Sequence, residues 1–591
     1  MTISPPFELR EIPTSSAWML RKAESFLLEN GLELDLGIGY LLGVYDSDDN
    51  LVGTGGLDGD TIKCVALHPE TRGMDLASSL IGSLYSKALE EGARSVKVFT
   101  KPENRRMFES LGFSTVGAAP EAIMLESGFN GIGDYLKTLS QMPRGGRNGV
   151  IVMNANPPTL GHLYLIHEAA RQVDRLTVIP VAENSGNDFS EASRIHVLKA
   201  LAAAIPNAEV APTSSYTIST STFPSYFLKK KTAVAKAQME LDLDIFGRHI
   251  APALAATVRF AGTEPIDEMT RAYNEAMRRI LPGFGIGIIE IDRLQSDRGP
   301  ISASEVRRLL GLFRTADAME LTPRATWPLL VARTATLSLH AEAALTPKPG
   351  LVDRADSGSH SDMDFALMTL SADTVGEGFS EMALLAWEES DIGRLTAGLV
   401  EIGKETERRM LAATDGVNTH RGAIFSLGLT VAAACRILAT AECLREEFTP
   451  EILSAMIARL AAGINRPEGT HGENVRSRHG GKGALDMARD GYSDLFGRWL
   501  PEIAGRHTDE NALLRLLLRI ISELDDTNAI HRAGADEALA ARREAADLLK
   551  DFSTDGLRRL NESFISRNIS HGGAADMLAL TVLAASLFEN R

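Results

Sequence analysis

The stretch NANPPTLGH, residues 154–162, follows the apolar run GVIVM and places a histidine where a strand turns into a helix. Gly161 lets the backbone approach an anion, and the helix N-terminus offers free N–H groups at its positive end. His162, in the first helical turn, adds an imidazole donor. Thr159 adds a hydroxyl, while Asn154 and Asn156 supply neutral hydrogen bonds that do not repel a polyphosphate. A second set stands later in the same segment, in ISASEVR. There Ser302 and Ser304 open a helix, and Arg307 falls one turn on, on the same side. Together these residues suit in-line attack on the α-phosphorus of ATP, in which catalysis is mostly placement of donors plus Mg2+. Glu264, in GTEP, is a carboxylate at a strand end, fit for a metal, a ribose hydroxyl or a helix start.

Three polar clusters interrupt an otherwise bland region after residue 330. TPKPGLVDRADSGSHSDMD carries Lys348, Asp353, Arg354, His360, Asp362 and Asp364. DGVNTHRG carries Asn418, His420 and Arg421, and ELDDTNAIHRAG carries Asp525, Asp526, Thr527, Asn528 and Arg532. Carboxylates spread over several helices can hold Mg2+ on a triphosphate, and Asp362, Asp525 and Asp526 are the candidates. Lys348, Arg354, Arg421 and Arg532 can neutralise phosphate, with Asn418, Thr527 and Asn528 as neutral contacts. Asp353, Asp364 and His420 are candidates for acid–base work, with the division between acid and base left open.

The elements that must position these groups fall into three segments. With 591 residues the chain exceeds one ordinary core, so about three or four domains are expected. Residues 1–143 read as short strands around one or two helices, an α+β domain, with strands near 40–67 and 94–100 and a helix over 75–92. MPRGGRNG, residues 142–149, is a joint. Over 147–325 strands alternate with helices, which implies a doubly wound parallel α/β sheet. From 328 to 591 the pattern is Ala/Leu-rich and all-α.

The formal net charge of −17 argues against a general nucleic-acid or anionic-membrane binder. The longest apolar runs are too short or carry Arg436, so no membrane span is expected. The N-terminus lacks a basic-then-apolar leader. Cys64, Cys435 and Cys443 form no metal or disulfide spacing and fit a reduced, cytoplasmic setting.

HPETRGMDLASSLIGSLYSKA with NRRMFESLGFSTVG resembles the acetyltransferase fold that grips acyl-CoA, although Asp75 stands where that family has a glycine. TxGH and ISxSxxR resemble the HxGH-type nucleotidyltransferases. STFPSYFLKK, MELDLDIF, APAL, GTEP, AYNEAM and PISASEVR carry the likeness on to the citrate lyase ligase family, across about residues 1–325. That resemblance implies adenylation of acetate by ATP, then transfer of acetyl to the prosthetic-group thiol of the citrate lyase acyl carrier protein. It also implies that Thr159, His162, Ser302, Ser304 and Arg307 line the ATP site, with Ala182 where relatives tend to carry lysine. The three later clusters resemble triphosphoribosyl-dephospho-CoA synthase, which joins the ribose of ATP to 3'-dephospho-CoA and expels adenine. Leu485 and Ala533 depart from that family's wording. Open alternatives are a coenzyme-biosynthesis nucleotidyltransferase, a catalytically silent carrier-binding scaffold, and the same chemistry serving malonate decarboxylase.

Overall fold

Glycine-punctuated apolar runs build the first sheet. Its strands are β1 (Phe7–Glu11), β2 (Tyr40–Asp46), β3 (Leu51–Asp58), β4 (Thr61–Leu67), β5 (Ser95–Thr100), β6 (Ser114–Ala118) and β7 (Ile123–Gly128), in the spatial order β1-β2-β3-β4-β5-β7-β6. All pairs are antiparallel except β4 with β5, which touch only at Thr61↔Lys97 and Ile62↔Val98. The helix Leu76–Glu90 presses Leu80, Ile81 and Leu84 into one core with Val96, Val98 and Phe108. Asp75, just ahead of it, has φ +55, the left-handed region that glycine enters without steric cost. That conformation accounts physically for the glycine of the family pattern. β1, β6 and β7 were not foreseen from the sequence.

These coordinates come from a computed structural model whose described residues are 7–35, 37–71, 75–129, 131–182, 189–217, 231–265, 267–297, 299–442, 447–465 and 483–589. Arg72, Gly73 and Met74 of the expected phosphate turn, Glu183, the STFPSYFLKK stretch, Cys443 and most of HGGKG lie outside them. The chain forms two compact units: Met1–Ala155, Gly161–Ser185 and Leu198–Pro300 make one, and Asn156–Leu160, Gly186–Val197 and Ile301–Arg591 the other.

Within the first unit a second sheet is fully parallel. Its strands are β8 (Asn148–Met153), β9 (Arg175–Pro180), β10 (Ala208–Val210), β11 (Ala256–Gly262) and β12 (Gly287–Ile291), ordered β10-β9-β8-β11-β12. The order reverses between β8 and β11, which creates a crevice at their carboxyl ends, where such sheets bind ligands. The joint before β8 is a pinned turn: Asn148 accepts from Gly145 N at 2.7 Å and donates to Ala255 O at 3.1 Å. The first and second sheets share one core, because the helix Lys231–Ile245 packs on β6. Gly117 leaves room for Ile245 there, since a β-carbon would meet Ile245 Cγ1 at 2.4 Å, and Ala118 N donates to Asp244 at 2.9 Å.

The second unit is helical, as its Ala/Leu pattern predicts. Its principal helices are Trp327–Ala344, Phe365–Glu388, Ile392–Ala413, Arg421–Thr440, Glu510–Glu523 and Gly572–Phe588. Arg421–Thr440 is long and apolar enough to cross a membrane by length and composition, but 83% of its apolar window is buried inside the fold. Helices approach closely where one lacks a side chain. A β-carbon at Gly376 would stand 2.4 Å from Thr336 Oγ1, and one at Gly378 would stand 2.1 Å from Thr406 Oγ1. Gly378→Val should therefore destabilise this unit by about 1–3 kcal/mol through overpacking. Adding Thr406→Ala to the same chain should restore most of the loss, as read by urea unfolding.

Candidate functional site

In the first unit, chemistry gathers at the carboxyl ends of β8, β11 and β12. Asn154 follows β8, Glu264 follows β11, and Arg293 lies just beyond β12. Arg293 forms an ion pair with Glu264 and donates Nε to Thr263 O at 2.8 Å. Glu264 also accepts from Asp267 N at 3.0 Å, so both of its oxygens are engaged in holding the strand ends. His162 keeps some accessible surface yet is heavily desolvated. That enclosure, and secondarily the charge of Arg293, lower its pKa to about 4. The imidazole is neutral at physiological pH and offers one N–H donor without an added charge. Arg293 was not singled out from the sequence; its only signal is its place after an apolar strand.

In the second unit the other half of the corner meets the ISxSxxR helix. Thr159 and Asn156 are buried, and Arg307 Nη1 donates to Asn156 O at 2.5 Å. Arg307 Nη2 reaches Ser304 Oγ at 3.3 Å, and Ser302 caps the helix Ala303–Gly311 by accepting from Glu305 N at 3.1 Å. Two motifs distant in sequence are thus tied by one guanidinium. The turn is held further by Thr326 Oγ1 donating to Pro158 O at 2.9 Å and by Phe189 N donating to Asn156 Oδ1 at 3.3 Å.

The three polar clusters of the helical unit converge. Lys348 is 1% exposed and pairs with Glu342 at 2.5 Å, also donating to Glu342 O at 2.8 Å. Asp353 accepts from the backbone of Lys348 at 2.9 Å and of Ala355 at 2.6 Å, so its carboxylate braces the loop. Arg532 ties the third cluster to the first through Ser359 O, and holds Asn568 Oδ1 at 2.6 Å. His360 Nε2 lies 2.9 Å from Ser570 Oγ. The second cluster joins through His420, whose Nδ1 is 2.7 Å from Ser371 Oγ. Its buried Nε2 has no hydrogen-bond partner among the described residues. Burial, then the nearby His340 and Lys348, push the His420 pKa down to about 3.

Other predicted residues have local tasks. Asp364 caps the Phe365 helix by accepting from Leu367 N at 2.8 Å. Asn418 accepts from Arg421 N at 3.3 Å, Arg421 pairs with Glu407, and the exposed Arg354 lies 4.0 Å from Glu510. Thr527 and Asn528 start the helix Thr527–Ala533, with Asn528 Nδ2 lying 2.9 Å from where a Gly572 β-carbon would be.

The carboxylates expected to share Mg2+ go separate ways. Asp525 pairs with Arg542, and Asp362 lies 3.7 Å from His360. Asp526 is buried and accepts from Asn528 N at 2.8 Å and Ala574 N at 3.0 Å, joining two helix starts. Among the described residues no group of three or more His, Cys, Asp or Glu is arranged to hold a metal. The donor set does not fit an ion held by these three residues. The acidic groups that do approach one another are Asp526, which the sequence offered, and Glu342 and Asp576, which were not read from it, with His571 and Tyr492 beside them. Glu342 and Asp576 sit inside apolar helices, so nothing in the local pattern marks them.

The sheet order and its phosphate-suited corner define an α/β enzyme of the nucleotide-binding kind, and the helical unit adds a second polar centre. Residues 148–330 match the citrate lyase ligase C-terminal domain, 328–591 match ATP:dephospho-CoA triphosphoribosyl transferase, and 7–113 match the GNAT acetyltransferase family. A citrate (pro-3S)-lyase ligase of Escherichia coli is 38% identical over 308 residues, covering 51% of this chain and 87% of the relative. The Klebsiella pneumoniae ligase is 36% identical, covering 48% and 85%. A 2-(5''-triphosphoribosyl)-3'-dephosphocoenzyme-A synthase of Pectobacterium atrosepticum is 36% identical, covering 42% and 85%. The chain belongs to the citrate lyase ligase family in its first part and to the triphosphoribosyl-dephospho-CoA synthase family in its last.

The lowered histidine pKa values have a thermodynamic consequence. A histidine whose folded pKa lies below its unfolded value of about 6.5 favours the fold fully above that pH, and the advantage is lost as pH falls toward the folded pKa. For His420 the window runs from about 6.5 down to about 3. Asp576, raised in the fold, works in the opposite direction. His420→Asn keeps a partner for Ser371 and removes the titration. Urea midpoints taken from pH 7 to pH 4 should therefore fall less steeply with acidification in this variant than in the parent.

Proposed function

We propose that this chain is a bifunctional enzyme of citrate lyase maturation. The first part adenylates acetate with ATP and passes acetyl to the prosthetic-group thiol of the citrate lyase acyl carrier protein. The helical part joins the triphosphoribosyl group of ATP to 3'-dephospho-CoA and releases adenine. The observation that carries the reading is the presence of two separate polar centres in one chain, each in a stretch matched by a family whose description names one of these activities.

In the ligase half, Thr159, Gly161, His162, Ser302, Ser304 and Arg307 bind ATP, with Asn154 and Asn156 as neutral contacts. A neutral imidazole suits this task because it donates to a phosphate oxygen as charge develops there. Glu264 acts through Arg293, holding that guanidinium beside the strand ends. Acetate oxygen attacks the α-phosphorus, pyrophosphate leaves, and the carrier thiol then displaces AMP. In the helical half, Arg421 and Arg532 supply positive charge for the two polyphosphate-bearing substrates, with Arg354, Asn418, Thr527 and Asn528 as further contacts. Lys348, expected from the sequence to meet phosphate, is buried with its charge engaged by Glu342 and holds its loop instead. Asp353 and Asp364 position backbone, and His420 holds an Nε2 that has no partner among the described residues and is available to substrate. ATP enters both halves as its Mg2+ complex, with the ion carried on the triphosphate. The work belongs in the cytoplasm, where both nucleotides are found.

The test supplies acetate, ATP and deacetylated carrier protein and follows AMP and acetyl-thioester, with dephospho-CoA-dependent adenine release measured separately. His162→Ala should lower AMP formation by roughly 10²–10³-fold and leave adenine release unchanged. AMP formation by the variant at the parent's rate would overturn the ligase assignment.

A further inference from the structure

Asp576 lies in the second turn of the helix Gly572–Phe588, among apolar neighbours in the sequence. Its carboxylate rests on the backbone of Gly422, where a β-carbon would stand 2.0 Å from Oδ2. It makes no hydrogen bond or ion pair with any described residue. The side chain keeps some accessible surface, so it faces a space rather than a packed core. Facing it are Glu342 from the Trp327 helix, itself paired to Lys348, Asp526 ahead of the Thr527 helix, and Tyr492. Tyr492 is 3% exposed, and its hydroxyl has no partner among the described residues. Two adjoining polar groups without partners among the described residues mark a wall built for a ligand.

We propose that Asp576 is the proton donor to the departing adenine, with the Tyr492 hydroxyl as a second contact to the purine. The proposal rests on the reading of the helical half as the adenine-releasing transferase. Burial and the charges of Glu342 and Asp526 hold the Asp576 carboxyl well above the usual carboxylate range, which favours its protonated, proton-donating form. In the step, the C1''–N9 bond of ATP breaks and its electron pair goes to adenine, where a ring nitrogen takes the proton of Asp576. A ribose hydroxyl of dephospho-CoA forms the new C1''–O bond, and its proton returns to the Asp576 carboxylate. Protons balance without any other co-reactant. The oxocarbenium-like centre lies between the two events and is favoured by the carboxylate that the first leaves behind.

The experiment uses the full chain with dephospho-CoA and compares ATP with its N7-methylated analogue, whose cationic base departs without taking a proton. Asp576→Asn should lower kcat with ATP by roughly 10²–10⁴-fold and kcat with the analogue by less than about tenfold. In the parent, kcat with ATP should decline as pH rises through the Asp576 titration, and that limb should be missing with the analogue. This comparison decides the matter even where the variant does not fold. Equal losses on both nucleotides, or a basic limb shared by both, overturns the assignment of Asp576. Absence of base release from either nucleotide by the parent overturns the transferase reading itself.

Discussion

The helical half depends on one buried charge, the Lys348 ammonium, which has Glu342 as its counter-ion. Removing one member of such a pair strands the other in a low-dielectric interior, at about 3–5 kcal/mol. The loop that carries Lys348 therefore has one place to sit. Asp353 fixes its backbone, Asn561 accepts from Gly350 N at 2.8 Å, and Ser359 donates to Ile569 O at 2.7 Å. Arg532 reaches this loop from the third cluster through Ser359 O. The polar centre is thus a consequence of where a single lysine can be buried.

The first unit solves a related problem with a different device. Glu264 and Arg293 cross the ends of β11 and β12, one strand along from the reversal between β8 and β11, and their charges cancel locally. What remains for an anion is a helix N-terminus, amide side chains and a neutral imidazole. The corner itself is divided: Asn156–Leu160 counts with the second unit and Gly161 onward with the first. Arg307 explains the second-unit share, since its bond to Asn156 O fastens the turn to the helix that follows Ser302.

Periodicity revealed most of the architecture. The parallel sheet and the all-helical segment follow directly from hydrophobic pattern. Edge strand β1 was missed because its alternation is short and mixed with charge. Loop polarity exposed Lys348, His420, Asp526 and Arg532, because groups that leave the helical pattern are conspicuous. Glu342 and Asp576 were invisible for the opposite reason: a single carboxylate inside a strongly apolar helix looks like an ordinary surface position. Only the fold shows that both turn inward. Local spacing likewise gave no warning that Asp362, Asp525 and Asp526 take different partners, since adjacency in sequence says nothing about which arginine or helix start lies opposite.

The central claim is that one chain carries two independent ATP sites built on different physics. Equilibrium binding of ATP to the full chain, without acetate or dephospho-CoA, tests it most directly. The account predicts two sites per chain, with His162→Ala weakening one and Asp576→Asn leaving that one untouched. A single site, or a pair weakened together by His162→Ala, would contradict it.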